Sequence, residues 1–383
     1  MISRLLYLFF FFLSLGQLQR IPFSGSQAFY IHEIVMFFII FLASKNIRLQ
    51  KFTVLTFIKK NIPLSLFLGT LGVSLLISLP FHSLQSNLVA FLYLVRLVLY
   101  FIFFYSLRKI PKEDMYSGLI FFTLLTIVLS TIQYILFPSL LPLINFGWDP
   151  HEFRVFGTYF DVTPLGVTLT LLFFWNFLKT SSSLPAGRQV HLSTSQSRLL
   201  HYSTTLSLFI LILLTYSRIT YIGFVLGCIY SIIRIIEVRK LIYVVLLLFF
   251  LLLPMLPRPS GESVRLERTY SIGSRIEDVK RGIALAIKHP VLGIGYNHLR
   301  EFKEPASHGG GAFSSSFVTI FATAGVFGLL AFMYLLHSIY RKGTILEKVF
   351  IVIVASTSLF DNVFLSNFVL VIFLVLIAFE GDR

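Results

Sequence analysis

The sequence predicts an all-α fold: a polytopic membrane helix bundle of about twelve transmembrane helices, with one long outer-face loop containing an amphipathic helix. Three observations carry this. Hydrophobic residues make up 56% of the 383 and charged residues 13%, where a soluble domain has about 25% charged. Phe alone contributes 43 residues, and Phe is at home in lipid. Apolar stretches approaching the roughly 20 residues of a bilayer crossing recur along the chain.

Taken in order, the predicted spans cover residues 4–18, 27–44, 62–81, 87–107, 115–138, 163–179, 200–217, 219–236, 241–257, 314–339, 345–360 and 362–380. The first begins with Arg4 and a run of Leu, Tyr and Phe. Ser14 and Gly16 give it a signal-peptide look, but the charge balance works with this segment kept as an uncleaved span. The last two spans can also be read as one re-entrant pair. Residues 181–197 are rich in Ser and Thr and read as a loose linker. This divides the chain into helices one to nine (1–257), a long periplasmic loop (258–313) and helices ten to twelve (314–383).

Orientation follows from Lys and Arg. With the N-terminus in the cytoplasm, 19 of the 32 lie at the termini, in inner loops or at adjoining span ends. The short outer loops hold three: Arg20, Arg154 and Arg218. The long loop holds nine and counts little in the rule, and Arg96 lies mid-span. The expected location is a bacterial inner membrane with both termini cytoplasmic. The net charge of +15 is therefore topology, and no nucleic-acid partner is expected. Cys228, the one cysteine, reads as a small buried apolar residue.

Four stretches on the outer side carry polar chemistry. Arg154-Val-Phe-Gly-Thr-Tyr-Phe-Asp161 leads to Pro164 and a span. Arg218 sits in a tight hairpin after Ser217, at a depth where an arginine needs a partner or an aqueous cavity. Ser274 and Glu277 have capping-box spacing, followed by Ile276, Val279, Ile283, Ala286 and Ile287 on one helical face. Asp278, Lys280, Arg281 and Lys288 take the other face. Together they predict an amphipathic helix on the outer membrane surface. It holds Arg275 in its first turn and ends at Pro290, Gly293 and Gly295. Finally, His308, three glycines, Ser314, Ser315 and Ser316 enter the tenth span, with Gly325 and Gly328 beyond. Arg96, mid-span, must face the bundle interior or a polar cavity and reads as a lining or packing residue.

These residues sum to a basic outer-face cavity between lipid and water. Fixed arginines suit a phosphate or diphosphate, because the planar fork binds oxygens in pairs. A lipid tail on that ligand would lie between spans. No P-loop, GxGxxG or Asp-x-Asp is present, so neither a cofactor nor a metal-bound sugar nucleotide is expected.

The order of Arg154-x-x-Gly157-Thr158, Ser217-Arg218, and Arg275 with His289-Pro-Val-Leu-Gly-Ile-Gly295 resembles the O-antigen ligase and O-antigen polymerase superfamily. That resemblance implies a membrane glycosyltransferase acting on polyprenyl-diphosphate-linked glycans, with a glycan or lipid A core as acceptor. It also implies that Arg218 and Arg275 hold the donor diphosphate. The ligases' motif of His, a polar residue, nine residues, Gly, two residues and a small residue aligns with Ser314, Ser315, Gly325 and Gly328. Ser314 stands where the histidine belongs, so polymerase is the expected branch, with ligase as the alternative. His308 and Asp161 are candidate bases. Arg154, Ser314, Ser315 and Arg96 are candidate substrate contacts.

Two other classes fit less well. A flippase needs polar residues through the bundle, and Arg96 is nearly alone there. The oligosaccharyltransferases usually carry an acid in the first outer loop, and residues 17–26 have none.

Overall fold

The computed structural model describes residues 2–24, 27–45, 61–180, 195–259, 263–267, 269–303 and 311–381. His308, and most of the linker at 181–197, lie outside them.

Thirteen α-helices run through the described residues. They are α1 (Ile2–Ser14), α2 (Ile31–Lys45), α3 (Ile62–Ser78), α4 (Leu84–Leu107), α5 (Lys112–Leu136), α6 (Val162–Thr180) and α7 (Ser195–Leu214). There follow α8 (Arg218–Arg234), α9 (Arg239–Leu252), α10 (Tyr270–Lys288), α11 (Ser316–Lys342), α12 (Ile345–Phe360) and α13 (Asn367–Glu380). Each predicted span coincides with one helix, and α10 is the loop helix. Five stretches are long and apolar enough to cross a membrane by themselves, lying in α3 to α6 and α11. Four shorter apolar helices include α1, α2 and α13. The last two predicted spans are two short helices, α12 and α13, joined by residues 361–366.

Position in the bundle follows hydrophobic patterning. A helix that is apolar all round belongs in the centre, and α13 is buried from Phe368 to Glu380 without a break. The window of α6 is 89% buried. By contrast α9 buries only Ile242 and Phe249 and faces lipid.

Three local expectations are corrected. The second span begins at Ile31, because 27–30 form a strand. Strand β1 (Arg20–Ser24) pairs antiparallel with β2 (Gln27–Tyr30), with Ile21 opposite Phe29. The Ser274–Glu277 capping box does not form. Helix α10 starts five residues earlier, after Thr269 in place of Ser274, with no side-chain cap, and Glu277 pairs with Arg281 at 3.3 Å. The two faces of α10 are also apportioned differently. Ala286 packs inward, and a Cβ on Gly282 would collide with Val318 and Phe313, so a small-residue face seats α10 on α11. Ile276, Ile283 and Ile287 stay exposed, while Asp278 turns inward.

The glycines after α10 serve a backbone joint. Helix α11 is broken at Gly325, at φ 66° and ψ −166°, a region open essentially to glycine alone. Residues 290–295 insert into the break. The Ile294 N–H donates to Ala322 O (3.0 Å), Gly295 N–H to Thr323 O (3.1 Å) and Val326 N–H to Pro290 O (2.8 Å). The orphan groups of the broken helix are thus satisfied by the loop. A Cβ at Gly325 would run into the Val291 carbonyl. Gly325→Ala is expected to cost about 1–3 kcal/mol from backbone strain, plus the collision, read as a lowered Tm in detergent. Gly69→Ala, in α3 with open space around it, is expected to leave Tm unchanged or slightly higher.

Candidate functional site

The site gathers where α8 begins and α12 ends, beside α10 and the approach to α6. A two-residue joint, Thr215-Tyr216, separates α7 from the Ser217 N-cap of α8, whose side chain accepts from Thr220 N–H. Tyr216 adopts φ 48°, and its hydroxyl donates to Pro257 O. The chain therefore turns within a few residues and leaves Arg218 at the first position of α8.

The Arg218 guanidinium donates to Leu266 O at 3.2 Å and to Ser271 Oγ at 2.6 Å. It fastens the start of the long loop to the hairpin. Arg275, one turn into α10, reaches across to the end of α12. It pairs with Asp361 Oδ2 at 2.9 Å and donates to Phe360 O at 2.9 Å. Its charge is near enough to act on Arg218. Neither arginine is deeply enclosed: the Arg275 side chain is 38% exposed and Asp361 23%.

Asp161 completes the group. Its Oδ1 accepts from Thr163 N–H at 3.0 Å, capping the start of α6. Burial first, then the negative charges of Asp361 and Asp149, push its pKa up to about 7, against the opposing pull of Arg275. Three carboxylates and two guanidiniums thus share one neighbourhood. A carboxyl poised near neutrality can exchange a proton at working pH, and strong perturbation of this kind marks functional sites more often than structural ones.

Other predicted residues take supporting places. Arg154 is buried, donating from Nε to Thr215 O (2.8 Å) and from Nη2 to Tyr216 O (2.7 Å). With Val155 N–H on Leu214 O, it clamps the Arg218 hairpin, and these donors point into the protein. Ser314 is held by Asp278, which accepts from its N–H (2.6 Å) and its hydroxyl (2.9 Å). Lys303 pairs with the same carboxylate at 2.9 Å. Ser315 caps α11 and donates to Ser358 O at 3.2 Å. Both serines therefore fix the entry of α11. Ser316 extends the stitching, its N–H on Asp361 O (3.3 Å) and its hydroxyl on Asn362 Oδ1 (3.1 Å).

Arg96 lies apart from this group. It pairs with Glu33 of α2 at 3.0 Å, donates to Ala28 O of β2 and sits 4.9 Å from the Tyr93 ring. A mid-span arginine needs such a partner, and the charge is neutralised within the bundle.

Sequence reasoning missed Asp361 and the acid partner of Arg96. For Asp361 the signal was present: an Asp-Asn pair in the short turn between two strongly apolar helices.

Residues 203–333 match the family model described as O-antigen ligase. The stretch runs from α7 through the long loop to beyond the α11 break. It holds Arg218, Arg275, Gly293, Gly295, Ser314, Ser315, Gly325 and Gly328, while Asp161 and Asp361 lie outside it. No curated protein matches the chain.

Proposed function

From the match of residues 203–333 to the O-antigen ligase family model, we infer that the chain is a relative of the O-antigen ligases and polymerases. From that premise we propose that it transfers glycan from a polyprenyl-diphosphate donor to a sugar hydroxyl on the outer face of the bacterial inner membrane. The observation that carries this reading is the Arg275–Asp361 pair, beside Arg218 and a near-neutral Asp161.

The donor diphosphate lies on Arg218 and Arg275, and its lipid tail lies among the spans. The acceptor oxygen forms a bond to the sugar's anomeric carbon as the bond from that carbon to the phosphate oxygen breaks. The electron pair leaves with the lipid diphosphate, and the hydroxyl proton passes to the Asp161 carboxylate. Charge grows on the phosphate oxygens in the transition state, where preplaced arginines stabilise it most. The leaving group is a stable anion, so these residues supply the chemistry without a strong acid. Arg154 positions the Arg218 hairpin, and Ser314 and Ser315 set the entry of α11. Arg96 braces α4 against α2, and His308 is a second candidate base.

Ser314, standing where ligases carry histidine, favours polymerisation onto another lipid-linked unit. The alternative is a ligase, with lipid A core or a protein as acceptor. Purified protein in nanodiscs, given lipid-diphosphate oligosaccharide alone, is expected to yield a ladder of longer lipid-linked chains that Arg218→Ala abolishes. Product appearing only when lipid A core or protein is added would make it a ligase. No transfer in either case, with lipid-linked substrate crossing vesicle bilayers, would replace this reading with transport.

A further inference from the structure

We propose that His82, His298 and Glu301 form a binding site for a divalent transition metal of the zinc class, which fastens the 290–303 loop to the turn between α3 and α4. These residues take no part in the transfer site above. Among the described residues this is the one place where three such side chains bring ligand atoms within 4.8 Å of one another.

His82 lies between two acceptors. Its Nδ1 lies 2.6 Å from Glu301 Oε2, and its Nε2 lies 3.1 Å from Ile294 O. Both neighbours are acceptors, and a neutral imidazole has a single N–H. If that N–H serves the carbonyl, the Nδ1 lone pair faces a carboxylate oxygen at hydrogen-bond distance. Two lone pairs so close require a cation between them, either a proton or a metal ion. An imidazole that donates one N–H to a backbone carbonyl and offers its other nitrogen outward has the usual arrangement of a metal-bound histidine.

His298 supplies a second nitrogen. Its ring stacks on His82 at 3.8 Å and 7° and is fully buried. Its Nδ1 meets the Ser86 hydroxyl at 3.0 Å, and its Nε2 has no hydrogen-bond partner. With its ring proton on Nδ1 toward Ser86, Nε2 keeps a lone pair that no protein group uses. The titratable groups facing His82 from the packed elements are thus Glu301 and His298, with Ser86 of α4 beside them. Glu301 is the open side, 38% exposed where His82 is 6%, and gives an ion its way in.

Two imidazoles and one carboxylate suit Zn²⁺ or Co²⁺ rather than Ca²⁺ or Mg²⁺, which prefer all-oxygen shells. The parallel stack is the proton-bridged state. Metal binding tilts one ring out of it, because both lone pairs must converge on the ion.

The test uses the full-length protein in detergent, stripped with chelator and dialysed against micromolar Zn²⁺ or Co²⁺ at pH 7.5. The expected result is one equivalent of metal, a visible Co²⁺ absorption band and a metal-dependent rise in Tm. Glu301→Gln, at an exposed position, should fold with the wild-type metal-free Tm and lose at least about tenfold in affinity, the scale of a lost ligand partner. No metal uptake by wild type would overturn the proposal and leave a proton bridge alone. Uptake unchanged in Glu301→Gln would overturn it as well, by placing the ion elsewhere.

Discussion

Replacing Arg275 with alanine is expected to lower glycan transfer by about 10²–10³-fold, the usual effect of deleting one preorganised donor at a developing oxyanion. The protein should remain inserted, because the side chain is 38% exposed and leaves no deep cavity. The loss has two sources. The diphosphate loses a planar fork, and Asp361 loses the cation that neutralises it. Arg275→Lys restores the charge but not the paired geometry, so its rate should fall between wild type and alanine. Asp361→Asn separates the two sources, since it keeps the arginine and removes the competing carboxylate. Initial rates at saturating donor, with Tm as the folding control, decide the matter. A wild-type rate in a folded Arg275→Ala protein would rule the mechanism out.

Asp161→Asn is expected to reduce transfer by roughly 10²–10⁴-fold, the range for loss of a general base. The wild-type rate should rise with pH through a limb near the Asp161 value of about 7, because only the carboxylate accepts a proton. Stability should move the opposite way. The pKa is raised on folding, so the protonated group's contribution is complete below about pH 4 and is lost as pH rises through about 7. Arg275 lowers the Asp161 pKa, so residual activity in Arg275→Ala should show its limb at higher pH. A flat pH profile with full activity in Asp161→Asn would move the base to His308.

The proposed transfer site was partly legible from sequence. Arg218 stood out because an arginine in a tight apolar hairpin has few ways to be solvated. Arg275 stood out for its place in the first turn of an amphipathic segment. The pairing of Arg275 with Asp361 was hidden, because the two lie far apart in the chain and only the end of α12 brings them together. Arg154 looked like a ligand contact because a lone loop arginine carries no mark of its partners. Its carbonyl acceptors at 215 and 216 became visible only once α7 and α8 were folded against it. The loop helix had the right periodicity but an early start: the turn before Ser274 forms without a side-chain cap, and Arg218 holds its Ser271.

By itself, the sequence determined that the solvent is lipid, that twelve apolar segments become helices and that an amphipathic helix lies in the long loop. Composition and run length suffice for this, because a backbone in hydrocarbon must bond to itself and a helix does so within one segment. Only the tertiary structure decided which helices are central, why Gly325 breaks α11, and which charges face one another. Those properties depend on contacts between segments far apart in the chain, and residue order does not record them.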